Sequence, residues 1–338
     1  MNHPLHETQG KRRPVIGVDW RPNQEAFTYD STFRTLEALG IDYVRLKQFR
    51  SASFDYDGGG QLLEGVSDCG ALSHAAAQLL RQSSWQASDV EEELQGISAV
   101  IFTGGEDVSP SLYAKPQEWH GIEAERDYSA ERDVSDYVLM GYCLEHDIPI
   151  LCICRGMQVL SVLSGAEVAQ DIGTWLAGQG VAYHHAHKQL PDKDGQRDFA
   201  PNDVWVEPGA QLYDIMGRSL LKGCPCWHHQ AVIGIEGTDL MVSARTTTDG
   251  VQMIEGVERT DKTFAVGVQF HPEVAVQKIL DKVENRNDYM DYQSATALFR
   301  RLETEGSAPP NRHHCQRMPA PPQTARPRRM APATPPPQ

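Results

Sequence analysis

The sequence predicts an α/β fold built on a mainly parallel sheet, and three observations carry that prediction. Short apolar runs of strand length alternate with segments of helical periodicity, beginning with a strand over 15–18, a helix over 31–39 and a strand over 41–46. Strand, helix, strand in that order is the repeating unit of a parallel sheet. The apolar run 148–153 passes without a spacer into Met157, Val159, Leu160, Val162 and Leu163, so one strand turns into one helix at Cys154-Arg-Gly. A further apolar run, 264–270, ends in His271-Pro-Glu. Two strands therefore deliver reactive side chains at their carboxyl ends, the edge at which parallel sheets bind ligands.

In chain order, Gly40 closes the first helix as a C-terminal cap. Residues 47–89 read as an insertion or surface excursion that holds the flexible Asp57-Gly-Gly-Gly60 and a helix near 71–81. The strand over 97–102 feeds Thr103-Gly-Gly-Glu-Asp107. A double glycine there is either ordinary turn punctuation or a backbone cradle facing a ligand, and its spacing matches neither a P-loop nor a dinucleotide fingerprint. A helix over 129–146, with Val134, Tyr137, Val138 and Gly141 on one face, leads into the central strand, where Pro149 is tolerated near the start. Gly165 ends the following helix. Next come Glu167-Val-Ala-Gln-Asp171 and the loop Tyr183-His-His-Ala-His187. His184, His185 and His187 have no Cys or carboxylate at ligand spacing, so the loop reads as solvated and no metal is assigned. Strands over 204–207, 240–244, 252–257 and 264–270 follow, with a short helix over 211–216 and an amphipathic helix over 288–305. Residues 307–338 are rich in Pro, Ala and Arg and read as a disordered tail, and 1–13 as a flexible N-terminus. One domain over 14–306 is expected.

A net charge of −15 excludes a general nucleic-acid binder, which needs basic surface against phosphate. No run has the length of a membrane span, and no apolar segment follows the basic N-terminus as a signal peptide requires. Seven cysteines are an odd number, and the pairs Cys152/Cys154 and Cys224/Cys226 have C-x-C spacing, not that of a zinc or thioredoxin-like site. A reducing, cytoplasmic compartment is the expectation.

Cys154 is the chemically distinctive residue. A thiol at a helix N-terminus sits beside unpaired backbone N–H groups and the positive end of the helix dipole, and both favour the thiolate. The small Gly156 lets strand and helix pack closely, and the N–H of Arg155 faces the space before the sulfur as an oxyanion donor. A lone cysteine here would read as a buried structural thiol. His271 and Glu273 change that reading, because thiol, imidazole and carboxylate then converge on one sheet edge. Their chemical roles follow: Cys154 as nucleophile, His271 as general acid and base, Glu273 as the group that orients the imidazole and supports its charge.

Ile153-Cys-Arg-Gly-Met-Gln158 together with Gly267-Val-Gln-Phe-His-Pro-Glu273 resembles the class I glutamine amidotransferase-like superfamily. Within it the chain is most similar to the peptidase C26 branch, which includes γ-glutamyl-γ-aminobutyrate hydrolases. Supporting stretches are Phe102-Thr-Gly-Gly-Glu-Asp-Val108, Leu112-Tyr113, Arg132-Asp133, Val206-Glu-Pro-Gly209, His228-His-Gln-Ala231, Asp249-Gly250 and Ile254-Glu255. The resemblance covers about 15–305. It implies a flavodoxin-like, doubly wound fold with helices on both faces and Cys154, His271 and Glu273 as the triad. It further implies an oxyanion hole from the backbone N–H groups of Gly105 and Arg155, and substrate contacts at Gly104, Gln158, His228 and His229. The implied activity is hydrolysis of a γ-glutamyl amide through a thioester, with no metal or organic cofactor. The implied partners are a small γ-glutamyl substrate and at most a second copy of the chain as a homodimer, with no nucleic acid or membrane. Two rivals stay open: a glutaminase subunit feeding a separate synthase, and a non-catalytic thiol-bearing module. The chain departs from the branch at Cys152, where a smaller residue is usual and a redox role for the pair with Cys154 is open, and at Asp203, where a histidine is common.

Overall fold

Four short strands are buried at every position, as in a parallel sheet covered on both faces: Ile16–Val18, Ala99–Phe102, Ile150–Ile153 and Ala265–Val268. The computed structural model describes residues 13–83, 85–184, 187–189 and 198–308. The reading of the two chain ends as flexible falls almost wholly outside these residues. In chain order the first elements are β1 (Ile16–Val18), α1 (Phe27–Leu39), β2 (Tyr43–Arg45), α2 (His74–Gln82), α3 (Val90–Glu93) and β3 (Ala99–Phe102). The centre holds α4 (Ala130–Glu145), β4 (Ile150–Ile153), α5 (Arg155–Leu163), β5 (Glu167–Ala169) and α6 (Ile172–Gly178). The remainder is β6 (Ala200–Val206), α7 (Gln211–Met216), β7 (Leu220–Cys226), β8 (Ala231–Gly234), β9 (Leu240–Thr248), β10 (Val251–Arg259), β11 (Ala265–Val268), α8 (Pro272–Leu280) and α9 (Tyr292–Gly306).

The main sheet runs β2-β1-β3-β4-β11-β10-β9-β6-β7. Its first five strands are parallel, in the doubly wound flavodoxin-like order. The last four extend it as antiparallel hairpins. β5 and β8 form a separate two-stranded ribbon. Alternation along the parallel strands sorts the core into two layers. Val100, Phe102, Ile150 and Cys152 pack with Leu139 and Leu160 on one face, and Ile101, Leu151 and Ile153 with Phe33, Leu298 and Phe299 on the other.

The structure departs from a plain reading of the sequence at four points. Residues 47–89 are no surface excursion, since Phe49, Leu62, Leu72, Ala77 and Leu80 are buried in the first core layer. Cys152 and Cys154 do not share a side. Strict alternation would put them together, but β4 ends at Ile153 and Cys154 takes a positive φ of 52°, which places it in the opposite layer. α6, β7, β8 and α8 are elements that periodicity did not reveal. Pro272, read as the end of a strand, is also the first residue of α8, where its fixed φ and missing N–H suit a helix start.

Candidate active site

The chain reverses at Cys154. Its positive φ and ψ of −105° break the strand, its N–H donates to the Val268 carbonyl at 2.7 Å, and α5 starts at the next residue. The turn is tight because of Gly156: a Cβ there would lie 2.5 Å from the Phe102 carbonyl oxygen. The neighbouring strand supplies the imidazole. Ile153 pairs with Val268 across β4 and β11, and three residues beyond Val268 His271 caps α8. Glu273 lies in the first turn of that helix, and His271 Nδ1 bonds its Oε1 at 2.6 Å. The His271 imidazole also makes a hydrogen bond with Cys154 and meets the Phe199 ring edge-on at 5.3 Å. Burial alone would depress its pKa, but the facing Cys154 sulfur and the Glu273 carboxylate outweigh that and raise it to about 10. Cys154, His271 and Glu273 are all buried.

Gly104 and Gly105 close the other side. A Cβ on Gly104 would stand 2.6 Å from His271 Cε1 and 3.4 Å from the Cys154 Cβ, so Gly104 is packed against the reactive pair. Gly105 has φ +143°, a region that suits only glycine. The loop is pinned by Arg132 and Glu106, noted in the sequence only as parts of family-like stretches, and by Asp19 and Arg21, which sequence reasoning did not single out. The Arg132 guanidinium donates to the carbonyls of Thr103 and Gly104 at 3.1 and 3.0 Å. It pairs with Asp19 at 3.0 Å and Glu106 at 2.5 Å, and Arg21 pairs with Glu106 at 3.0 Å. Burial works to raise the Glu106 carboxyl, but Arg132 and Arg21 hold it at about 2.

The Arg155 side chain does not face the cavity in front of the sulfur. It is buried in ion pairs with Asp133, at 2.7 Å, and Asp136, which tie α5 to α4. Only its backbone is available to a ligand. Behind the sulfur, Gln269 donates to Cys154 Sγ at 3.4 Å and accepts from Gln158 at 3.3 Å.

Two cavities meet at Cys154 and share Gly105, Asp127 and Trp227. The larger, about 530 Å³, is bordered by His271 and by Phe27, Phe199 and Trp227. The smaller, about 270 Å³, is bordered by Asp107, Gln158, Lys188, His228 and His229 and is the more polar. His229 bonds Asp107 at 3.0 Å, and although burial works against its charge, Asp107 and Asp171 raise its pKa to about 9. His228 borders the same cavity, but its ring nitrogens are directed to the Gln230 carbonyl and to Glu255. Of the three loop histidines, His184 is exposed, His185 lies outside the described residues, and His187 is fully buried, which corrects the solvated reading for that residue. Asp203 is exposed and accepts from the Gly223 N–H at 3.1 Å.

The family model described as Peptidase C26 matches residues 66–273. The chain is 30% identical over 209 residues to the γ-glutamyl-γ-aminobutyrate hydrolase PuuD of Escherichia coli K12, covering 60% of this chain and 71% of that one. It is 31% identical over 237 residues to a Mycobacterium tuberculosis protein provisionally named a glutamine amidotransferase, covering 69% of each. It is 32% identical over 182 residues to protein NtpR of Enterococcus hirae, covering 53% of this chain and 67% of that one.

Proposed function

Because the chain belongs to the peptidase C26 family and a relative at 30% identity is named a γ-glutamyl-γ-aminobutyrate hydrolase, we propose that it cleaves γ-glutamyl amides with Cys154 as nucleophile. The observation that carries this reading is the placement of a buried Cys154–His271–Glu273 set at the junction of two unlike cavities. The Cys154 thiolate attacks the γ-carbonyl. The oxyanion is received by the N–H groups of Gly105 and Arg155, and one such donor is typically worth about 3 kcal/mol. His271, held protonated, gives its proton to the departing amine, then takes one from water as that water attacks the thioester and frees glutamate. Glu273 keeps the imidazole oriented through both steps.

The two cavities support a division of the substrate between them. His271 borders the larger one, so the amine it protonates departs on that side, between Phe27, Phe199 and Trp227. The γ-glutamyl half then occupies the smaller cavity. Its ammonium and carboxylate need partners of both signs, which Asp107, Lys188 and His229 supply. These aromatic walls favour a leaving amine with an alkyl or aryl body.

The test is glutamate release from γ-glutamyl-γ-aminobutyrate, folate polyglutamate, γ-glutamyl-p-nitroanilide and free glutamine. Release from a γ-glutamyl amide, abolished in Cys154→Ala with the melting temperature unchanged, is the expected outcome. Turnover that persists in Cys154→Ala would end the proposal. Release from glutamine alone would move the assignment to the ammonia-supplying reading that the name of the M. tuberculosis relative suggests.

A further inference from the structure

Beyond the reactive cysteine, four side chains converge that the proposed hydrolysis does not use. His187 ends the histidine loop, Cys226 ends β7, His228 lies two residues further on, and Glu255 projects from β10. All are buried, His187, Cys226 and Glu255 completely. The Nδ1 or Nε2 of each histidine and the Cys226 sulfur lie within 4.8 Å of one another. Glu255 Oε1 is 3.4 Å from His187 Nδ1 and 3.7 Å from His228 Nε2. Ligand atoms held tetrahedrally at zinc distances stand about 3.3–3.6 Å apart, so the two histidines and Cys226 need to close by at most about 1.5 Å, and Glu255 stands beside both imidazoles.

The hydrogen bonds around the cluster point inward as a ligand set requires. His228 Nδ1 bonds the Gln230 carbonyl at 2.9 Å. A carbonyl only accepts, so Nδ1 carries the proton and Nε2 presents a lone pair to the cluster. His187 Nε2 bonds the Thr248 hydroxyl at 2.7 Å, and its Nδ1 lies 3.4 Å from Glu255 and accepts from the Asn202 side-chain amide at 3.4 Å, so Nδ1 carries a lone pair. Each imidazole is thus anchored through one nitrogen and offers the other, the arrangement found around metal-bound histidines. Among the described residues, His228 Nε2 and both Glu255 oxygens have no hydrogen-bond partner. The scaffold is specific as well. A register shift between Ile254 and Gly256 leaves Glu255 out of the ladder with β9, and such bulges redirect a side chain. The His228 N–H donates to the His187 carbonyl at 3.1 Å, tying the two histidine segments together.

Apart from the Asn202 amide, which bonds His187 and Cys226, few donors face this buried group of acceptors, and a cation would satisfy it. Protons are one solution, since a carboxyl or a thiol that keeps its proton can donate to a neighbour. One carboxyl proton and one thiol proton still leave lone pairs facing one another. A divalent ion satisfies all four groups at once. Imidazole with thiolate and carboxylate suits zinc, and four protein ligands with no open position mark a structural site.

We propose that His187, Cys226, His228 and Glu255 form a closed structural zinc site that fixes β7, β10 and the histidine loop behind the reactive cysteine. Binding displaces the Cys226 and Glu255 protons, so affinity rises with pH. The experiment uses the full chain without an affinity tag, stripped with a chelator and titrated with cobalt(II). The expected result is one equivalent bound, with tetrahedral ligand-field bands and a thiolate-to-cobalt charge-transfer band. Zinc then displaces the cobalt and raises the melting temperature. The band persists in Cys154→Ala and is lost in Cys226→Ala, with Cys226→Ser in its place if the alanine variant does not fold. Absence of a thiolate band in the wild-type chain overturns the proposal without any variant. So does a band that survives in the Cys226 variant or vanishes in Cys154→Ala, which would place the metal on the reactive thiol.

Discussion

Replacing Gly104 by alanine adds one methyl group at the point where the proposed reaction has least room. That methyl would stand 2.6 Å from His271 Cε1. Carbon atoms rest at about 3.5–4.0 Å, so one side must yield by about 1 Å. The imidazole is the side that moves, because the Gly104 backbone is clamped by Arg132 through its own carbonyl and that of Thr103. His271 has little freedom, with Glu273 at 2.6 Å, Phe199 edge-on and its own N–H bonded to the Pro225 carbonyl at 2.8 Å. A shift therefore comes at the expense of its bond to Cys154. A misplacement of about 1 Å in a reacting group costs on the order of 100-fold in rate, equivalent to about 2.7 kcal/mol in the barrier. Gly104 has no positive φ, so alanine carries no backbone strain and stability should fall by less than the rate does. The assay is kcat/KM for glutamate release from the best γ-glutamyl amide, with the melting temperature as control. A kcat/KM within about threefold of wild type would refute the inference that this contact sets the imidazole position.

Two further outcomes follow from the same geometry. His271 keeps its proton to about pH 10 partly through Glu273, so wild-type kcat/KM should hold its plateau past pH 8 and decline only toward pH 10. Glu273→Gln removes the anion, lowers that pKa and moves the alkaline limb down by about one unit or more, so an unmoved limb would count against the role given to Glu273. Arg132→Met leaves Asp19, Glu106 and Asp136 without their shared cation and should lower the unfolding free energy by about 3–5 kcal/mol, read from the urea midpoint. A loss under about 1 kcal/mol would mean that the network contributes little to the fold.

What the sequence made legible and what it hid divide along chain distance. The elbow at Cys154 was readable because strand run, corner and helix are contiguous, and His271 and Glu273 because they follow a buried run within a few residues. The parallel half of the sheet followed from alternating runs. β7 stayed hidden because Gly223 and Pro225 interrupt it, with Gly223 at φ 65° and tight against the Asp288 backbone, so that its strand character comes from β6 and not from its own pattern. α8 was masked by a proline read only as a stop. The clamp of Arg132 on Asp19 and Glu106 spans 113 and 26 residues, and a lone arginine carries no mark of its future partners. His187 had the same disguise: Cys226 and Glu255 reach it only through the antiparallel extension, so spacing along the chain could not show its buried neighbours.

The pairing of β4 with β11 also bears on how the protein reaches its competent state. His271 and Glu273 lie two residues apart at one helix start, but Cys154, the proposed nucleophile, arrives from more than a hundred residues earlier, brought in by the four paired positions of β4 and β11. Closing so long a loop is a late and entropically costly event, and no local fragment contains the whole reactive set. Refolding followed by secondary structure should therefore run ahead of refolding followed by active-site titration. The lag between the two signals measures when the central pair of strands locks.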